Sequence, residues 1–155
     1  MVMILLPPSE SKTAPQSTVT LDLLSLSFPE LTQIRSKVIG SLIKVSEGRL
    51  STARKILGVT ANQDDEIGRN HDLFNRPVAS AMHVYTGVLF EAIGISSLSK
   101  SAMRNFVRDT CVVSALFGLI RVNDLIPAYR LSGGTNLPKL GSLAGVWNVP
   151  VGEVL

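Results

Sequence analysis

Thr110-Cys111-Val112-Val113-Ser114 is β-branched and apolar, and it reads as a central buried strand. Ala115-Leu116-Phe117-Gly118 follows directly, and Gly118 is read as the residue that bends the chain. The whole apolar stretch, Cys111 to Ile120, is interrupted by Ser114 and bounded by Asp109 and Arg121. It is about half of what a bilayer span requires. A second apolar run, Val2-Met3-Ile4-Leu5-Leu6, stops at Pro7-Pro8 and reads as a buried strand opening into a loop.

Helical signals fill the space between these two runs. Ser27 and Glu30 have the spacing of a capping box. Leu31, Ile34, Val38, Leu42 and Val45 then recur at helical steps, with Gly48 as the stop. Leu50 to Leu57 reads as a short helix closed by Gly58. Asp64-Asp65-Glu66 reads as a solvated first turn of a third, suited to the helix dipole. Tyr85 to Ile93 reads as a turn leading into a helix, and Ser99 as the cap of a helix carrying Met103, Phe106 and Val107. Gly141 to Trp147 reads as a last short helix. Two strands separated by helices imply a mixed fold of α+β class, a mixed sheet with surrounding helices, in one domain over residues 1–155.

Composition bounds the function classes. Of 155 residues, 45% are hydrophobic and 17% charged, which excludes a disordered chain. The net charge of +3 permits nucleic acid or an anionic ligand and requires neither. One cysteine, Cys111, excludes an internal disulfide framework and reads as a buried small hydrophobe. His71 and His83 show no metal-ligand spacing, so no metal and no cofactor are expected. The start, Met1 to Leu6, lacks a basic region and is too short for a signal peptide, so the expected location is the cytoplasm, with no membrane partner.

Three segments carry candidate chemistry. Pro7-Pro8-Ser9-Glu10-Ser11-Lys12 leaves a strand stiffly, at the end where open α/β sheets place ligands. It offers a hydroxyl, a carboxylate and an ammonium; the plainer reading is a solvated polar loop. Ser114 to Arg121, continuing through Asp124 to Tyr129 and Arg130, supplies two guanidinium forks suited to phosphate or carboxylate. The plainer reading there is a structural Arg–Asp pair pinning the loop. Tyr85-Thr86-Gly87 sets a tyrosine beside a glycine that permits close backbone approach, although a packed tyrosine with a satisfied hydroxyl is the commoner outcome.

These segments also carry a resemblance. Leu5-Leu6-Pro7-Pro8-Ser9-Glu10-Ser11-Lys12 resembles the opening LLPPSE-x-K of the YaaA family of uncharacterised and peroxide-stress proteins. Tyr85-Thr86-Gly87-Val88-Leu89-Phe90 resembles its YxGxxY segment, with Phe90 in place of the second tyrosine. Ser114 to Asp124 resembles SGLYG-x-x-RPxD, with Val122 in place of the proline, and Tyr129 to Thr135 resembles YRLxxGT. Members of that family continue well past this chain's Leu155. The chain is therefore expected to be the N-terminal portion of the family's domain, an incomplete YaaA-like fold with exposed apolar surface. Association of copies is expected to cover that surface.

The resemblance implies a role in the response to hydrogen peroxide, linked to low free iron, and DNA as a proposed ligand. On that basis Ser9, Glu10, Lys12, Tyr85, Arg121, Asp124, Tyr129, Arg130 and Thr135 are expected to meet in one cleft. Glu10, Lys12 and Tyr85 are the catalytic candidates, with Glu10 the obvious general acid or base. Lys12, Arg121 and Arg130 would hold anionic oxygens, Asp124 would orient an arginine, and Ser9, Tyr129 and Thr135 complete the ligand-binding set. Three readings stay open: an anion- or DNA-binding stress protein, an enzyme acting on a small phosphorylated or carboxylated metabolite, and a shortened remnant without activity. An enclosed pocket with a perturbed Glu10 or Lys12 would favour the enzyme, and an open basic stripe would favour DNA.

Overall fold

The computed structural model describes residues 2–155. In chain order the elements are β1 (Ile4–Leu6), α1 (Thr32–Glu47), α2 (Leu50–Leu57), α3 (Asp64–Arg69), β2 (Ala79–Ser80), α4 (Ala81–Val84), α5 (Val88–Ile93) and α6 (Lys100–Asp109). β3 (Thr110–Ser114), β4 (Gly118–Arg121), β5 (Leu125–Ile126), β6 (Asn136–Leu137), β7 (Gly141–Ser142) and α7 (Leu143–Val154) complete the chain. The class is α+β.

The main sheet has the order β1-β3-β4. β1 runs parallel to β3, with Ile4 opposite Thr110 and Leu6 opposite Val112. The two parallel strands therefore end on the same side of the sheet, which brings Pro7 close to Ser114. β4 returns antiparallel, with Ser114 opposite Gly118 and Cys111 opposite Arg121. Two small antiparallel ladders, β2 with β5 and β6 with β7, tie the loops to this frame.

The core forms where the helix stripe meets β3 and β4. Val38, Ile39 and Leu42 of α1 are fully buried, as are Val112, Leu119 and Ile120. Arg35 is buried among them. Its Nε donates to Phe117 O at 2.9 Å, and its Nη2 to Leu119 O at 2.7 Å and Ser27 O at 2.8 Å. Burial pulls this guanidinium down to about 10, against the opposing fields of Asp124 and Glu30.

Several expectations are corrected. β1 is an edge strand, with Ile4 and Leu5 exposed, because it pairs with β3 on one side only. Ser27 and Glu30 form no capping box: Ser27 donates from both its N–H and its Oγ to Asp124, and Pro29–Leu31 is a 3₁₀ turn. A capping box forms instead at Thr60 with Gln63, ahead of α3. Gly118 does more than bend the chain: at φ +74° it starts a strand. The last helix runs on to Val154 and contains Pro150. Among the described residues, no helix is long and apolar enough to cross a membrane.

Candidate functional site

The exit from β1 decides where the polar residues go. After Pro7-Pro8 the chain turns back beside the segment that precedes α5. Lys12 bridges Tyr85 in antiparallel fashion, Thr13 N donates to Val84 O at 2.9 Å, and Thr86 N donates to Ser9 Oγ at 3.0 Å. Ser9 Oγ in turn donates to Ser11 O at 2.6 Å. Ser9 therefore fastens the loop while remaining part-exposed.

Lys12 is the centre of this arrangement. Its Nζ donates to Ser9 O at 2.7 Å and to Glu10 O at 3.2 Å. It also lies 4.3 Å from the centroid of the Tyr129 ring and 5.5 Å from that of Tyr85. Burial, and then the Arg130 guanidinium, hold its pKa down to about 8, while Glu66 and Glu10 push the other way.

Beneath the ammonium lies a buried chain of hydroxyls. Tyr85 Oη is 2.8 Å from Tyr129 Oη, which is 2.9 Å from Ser114 Oγ. Ser114 Oγ already accepts from the N–H groups of Leu116 and Phe117, so its own proton points to Tyr129. Burial raises both phenols, Tyr129 to about 12 and Tyr85 well above its ordinary value. Near neutral pH both phenols are neutral, and their rings lie buried beneath Lys12. Phe90 stacks on Tyr85 with centroids 5.4 Å apart, an apolar wall that needs no hydroxyl.

Arg130 reaches the same place from the other side. Asn70, fully buried, receives Arg130 N–H on Oδ1 and donates from Nδ2 to Arg130 O, both at 2.9 Å. This two-point clamp sets the arginine against α3. Its Nη1 donates to Glu66 Oε2 at 3.0 Å, and its Nη2 lies 3.8 Å from Glu10 Oε2. The Arg54–Asp64 ion pair ties α3 to α2.

The result is a depression of about 530 Å³. Lys12, Arg69 and Arg130 supply its positive charge, and Glu10 and Glu66 its negative charge. Pro7, Pro8, Val88, Leu89 and Phe90 form an apolar lip. Thr135 is buried beside a second depression that shares Glu10 and Arg130 and includes Lys55.

Arg121 and Asp124 lie elsewhere. The hairpin of β3 and β4 returns Arg121 to the start of β3, opposite Cys111, at the far end of the sheet from Ser114. There its Nη1 donates to Arg108 O, and its guanidinium stands 5.8 Å from the Phe28 ring centroid. Asp124 accepts from Ser27 and from the backbone N–H of Arg121, and makes no contact with either guanidinium proposed for it. Val122 uses an N–H that proline lacks, donating to Thr110 O at 3.4 Å.

Glu66, read as part of a solvated first turn, instead pairs with Arg130 inside the cleft, and the sequence reading did not point to Arg69 or Asn70. An acidic first turn has the same spelling whether it faces water or a cleft, and their partner Arg130 is some 60 positions away. The one available signal was that α3 carries both charge signs over a single short helix.

The family model described as peroxide stress protein YaaA matches residues 2–155. A UPF0246 protein of Streptomyces coelicolor is 40% identical over 154 residues, covering 99% of this chain and 59% of that protein. A UPF0246 protein of Corynebacterium efficiens is 42% identical over 137 residues, 88% of this chain and 53% of its own length. An uncharacterised protein of Campylobacter jejuni is 29% identical over 143 residues, 91% of this chain and 56% of its own. The chain thus spans less than two thirds of the length of these curated relatives.

Proposed function

Since the chain belongs to the peroxide stress protein YaaA family, we propose that the depression between β1, α3 and α5 is an anion-binding site serving that peroxide-stress role. The observation that carries this reading is the meeting of Lys12 Nζ and the Arg130 guanidinium in one partly enclosed space. Two cations confined together at low local dielectric repel each other, and a bound oxyanion relieves that repulsion. Burial is the first cause of the lowered Lys12 pKa, and the repulsion by Arg130 the second.

A small phosphorylated or carboxylated ligand fits this reading best. Lys12, titrating near 8, also holds a proton that it can lend to a ligand oxygen close to neutral pH, as an enzyme on such a metabolite would require. A second reading, DNA, is favoured by the neighbouring depression, where Lys55 extends the cationic lining past Arg130.

Calorimetric titration with inorganic pyrophosphate and with a short DNA duplex separates the two. Saturable pyrophosphate binding that outlasts moderate salt supports the small ligand. Binding of the duplex alone, with a steep salt dependence, supports DNA. Arg130→Ala is expected to weaken pyrophosphate binding about fiftyfold, on the order of 2–3 kcal/mol, because Lys12 and Arg69 then hold the anion without the fork. Unchanged affinity in that variant would remove the basis for the site.

The pH dependence follows from Lys12. Burial first, and then Arg130 and Arg69, lower its proton affinity, Glu66 and Glu10 raise it, and an anion raises it further. The protonated form binds the anion, so affinity is expected to fall as pH rises through about 8. In Lys12→Met that fall should vanish; a fall that persisted would assign the titration to another group.

A further inference from the structure

We propose that the anion this cleft takes is the dianionic head of a phosphomonoester whose apolar or flat body lies along the lip formed by Pro7, Pro8, Val88 and Leu89. This rests on the anion-binding reading above and names its ligand class.

The charge balance comes first. Three cations line the cleft, and one carboxylate, Glu66, is firmly engaged, accepting from Arg130 Nη1 at 3.0 Å. Glu10 is the other. Its carboxylate stands 3.8 Å from Arg130 Nη2, beyond a good hydrogen bond, and its side chain is 72% exposed. Glu10 is thus a weakly held occupant of the fork, and a stronger oxyanion displaces it. With Glu10 displaced, Lys12, Arg69 and Arg130 against Glu66 leave two positive charges. A monocarboxylate neutralises one of them, as does a single diester phosphate of a nucleic acid backbone. A phosphomonoester, whose second ionisation lies at about pH 6, neutralises both.

Hydrogen-bond capacity agrees. Ser11 Oγ accepts from Thr86 Oγ1 at 3.1 Å and, among the described residues, its own proton has no acceptor. Ser11 lines the cleft beside Lys12. A three-oxygen head can receive that hydroxyl together with the Arg130 Nη2 donor. Gly87, at φ +96°, turns the chain beside Ser11 in a conformation that side chains rarely adopt.

The lip supplies the other half of the ligand. Val88 is 86% exposed, and Leu89 beside it is also exposed. With Pro7 and Pro8 opposite, they make an apolar border on a cationic pocket, which suits a ligand with a charged head and a dry body.

The test is calorimetric titration of the whole chain with phenyl phosphate, benzoate and inorganic phosphate near neutral pH at fixed ionic strength. Phenyl phosphate is expected to bind about tenfold tighter than benzoate, for its second charge, and about tenfold tighter than inorganic phosphate, for its ring. Glu10→Gln should tighten phenyl phosphate severalfold. The exposed change Val88→Ser should weaken phenyl phosphate and leave inorganic phosphate unmoved. Benzoate binding as tightly as phenyl phosphate overturns the dianion. Inorganic phosphate binding as tightly as phenyl phosphate, or losing as much in Val88→Ser, overturns the apolar body. Either result leaves the anion-binding reading standing. Failure of all three probes, with pyrophosphate also silent, overturns both.

Discussion

Gly118→Ala is expected to destabilise the fold by about 3 kcal/mol or more, a fall in Tm on the order of 10 °C for a chain of this length. Two costs act together. Gly118 sits at φ +74°, where a side chain is strained. The added Cβ would stand 2.7 Å from Trp147 Cε3 and 2.8 Å from Cζ3. That ring cannot swing aside freely, because Trp147 is buried and its Nε1 donates to Ala115 O at 2.8 Å. Thermal unfolding of the single variant and of Gly118→Ala in a Trp147→Leu background separates the two costs. With the indole gone, the added methyl should cost at least ~1 kcal/mol less. Equal losses in both backgrounds would mean that backbone strain alone sets the effect. Gly133→Ala, where a Cβ meets nothing within 4 Å, serves as the reference for an unhindered site.

Arg35→Leu is expected to cost about 3–5 kcal/mol, since removing a buried cation leaves its partners unpaired. The side chain holds the carbonyls of Phe117 and Leu119, on either side of the start of β4, and that of Ser27. It thereby joins α1 to the hairpin that sends Arg121 away from the cleft. Leucine fills much of the volume and satisfies none of the three oxygens. Chemical denaturation should show a lower midpoint with a similar slope. A stability equal to that of the parent would mean that water reaches those carbonyls.

Much of the frame was legible because local patterns and tertiary demands agreed. Thr110 to Ser114 is a strand with buried residues on both faces, and Leu50 to Leu57 ends at Gly58 in the left-handed conformation as its spelling suggests. Ser99 caps α6 by accepting from Ala102 N–H. The failures have one cause, contact between residues far apart in sequence. Ser27 and Glu30 have capping-box spacing, yet Asp124, nearly a hundred positions on, takes the serine. Ile4 and Leu5 are as apolar as a buried strand requires, but β1 has a neighbour on one side alone.

The candidate site divides along the same line. Lys12 meets Tyr85, Tyr129 and Arg130 beside the end of β1, which lies parallel to β3; the apolar runs marked the two strands, and their pairing and direction were not legible. Arg121 and Asp124 are carried away from them by the turn over residues 115–117 and by β4, which starts at Gly118; spelling alone marked the bend at Gly118 and not the strand after it. Glu66 and Arg69 enter the cleft through the pairing of Asn70 with Arg130, a contact no local motif announces.

The most direct test of the cleft is the NMR titration of the Lys12 side chain, followed at its Cε resonance with and without saturating pyrophosphate. The expected midpoint is about 8 in the free protein, rising when the anion binds, and rising again in the free protein of Arg130→Ala, where the strongest repelling charge is gone. A midpoint near that of a solvated lysine, unmoved by pyrophosphate and by the Arg130 change, would contradict the convergence of the two cations on a shared anion.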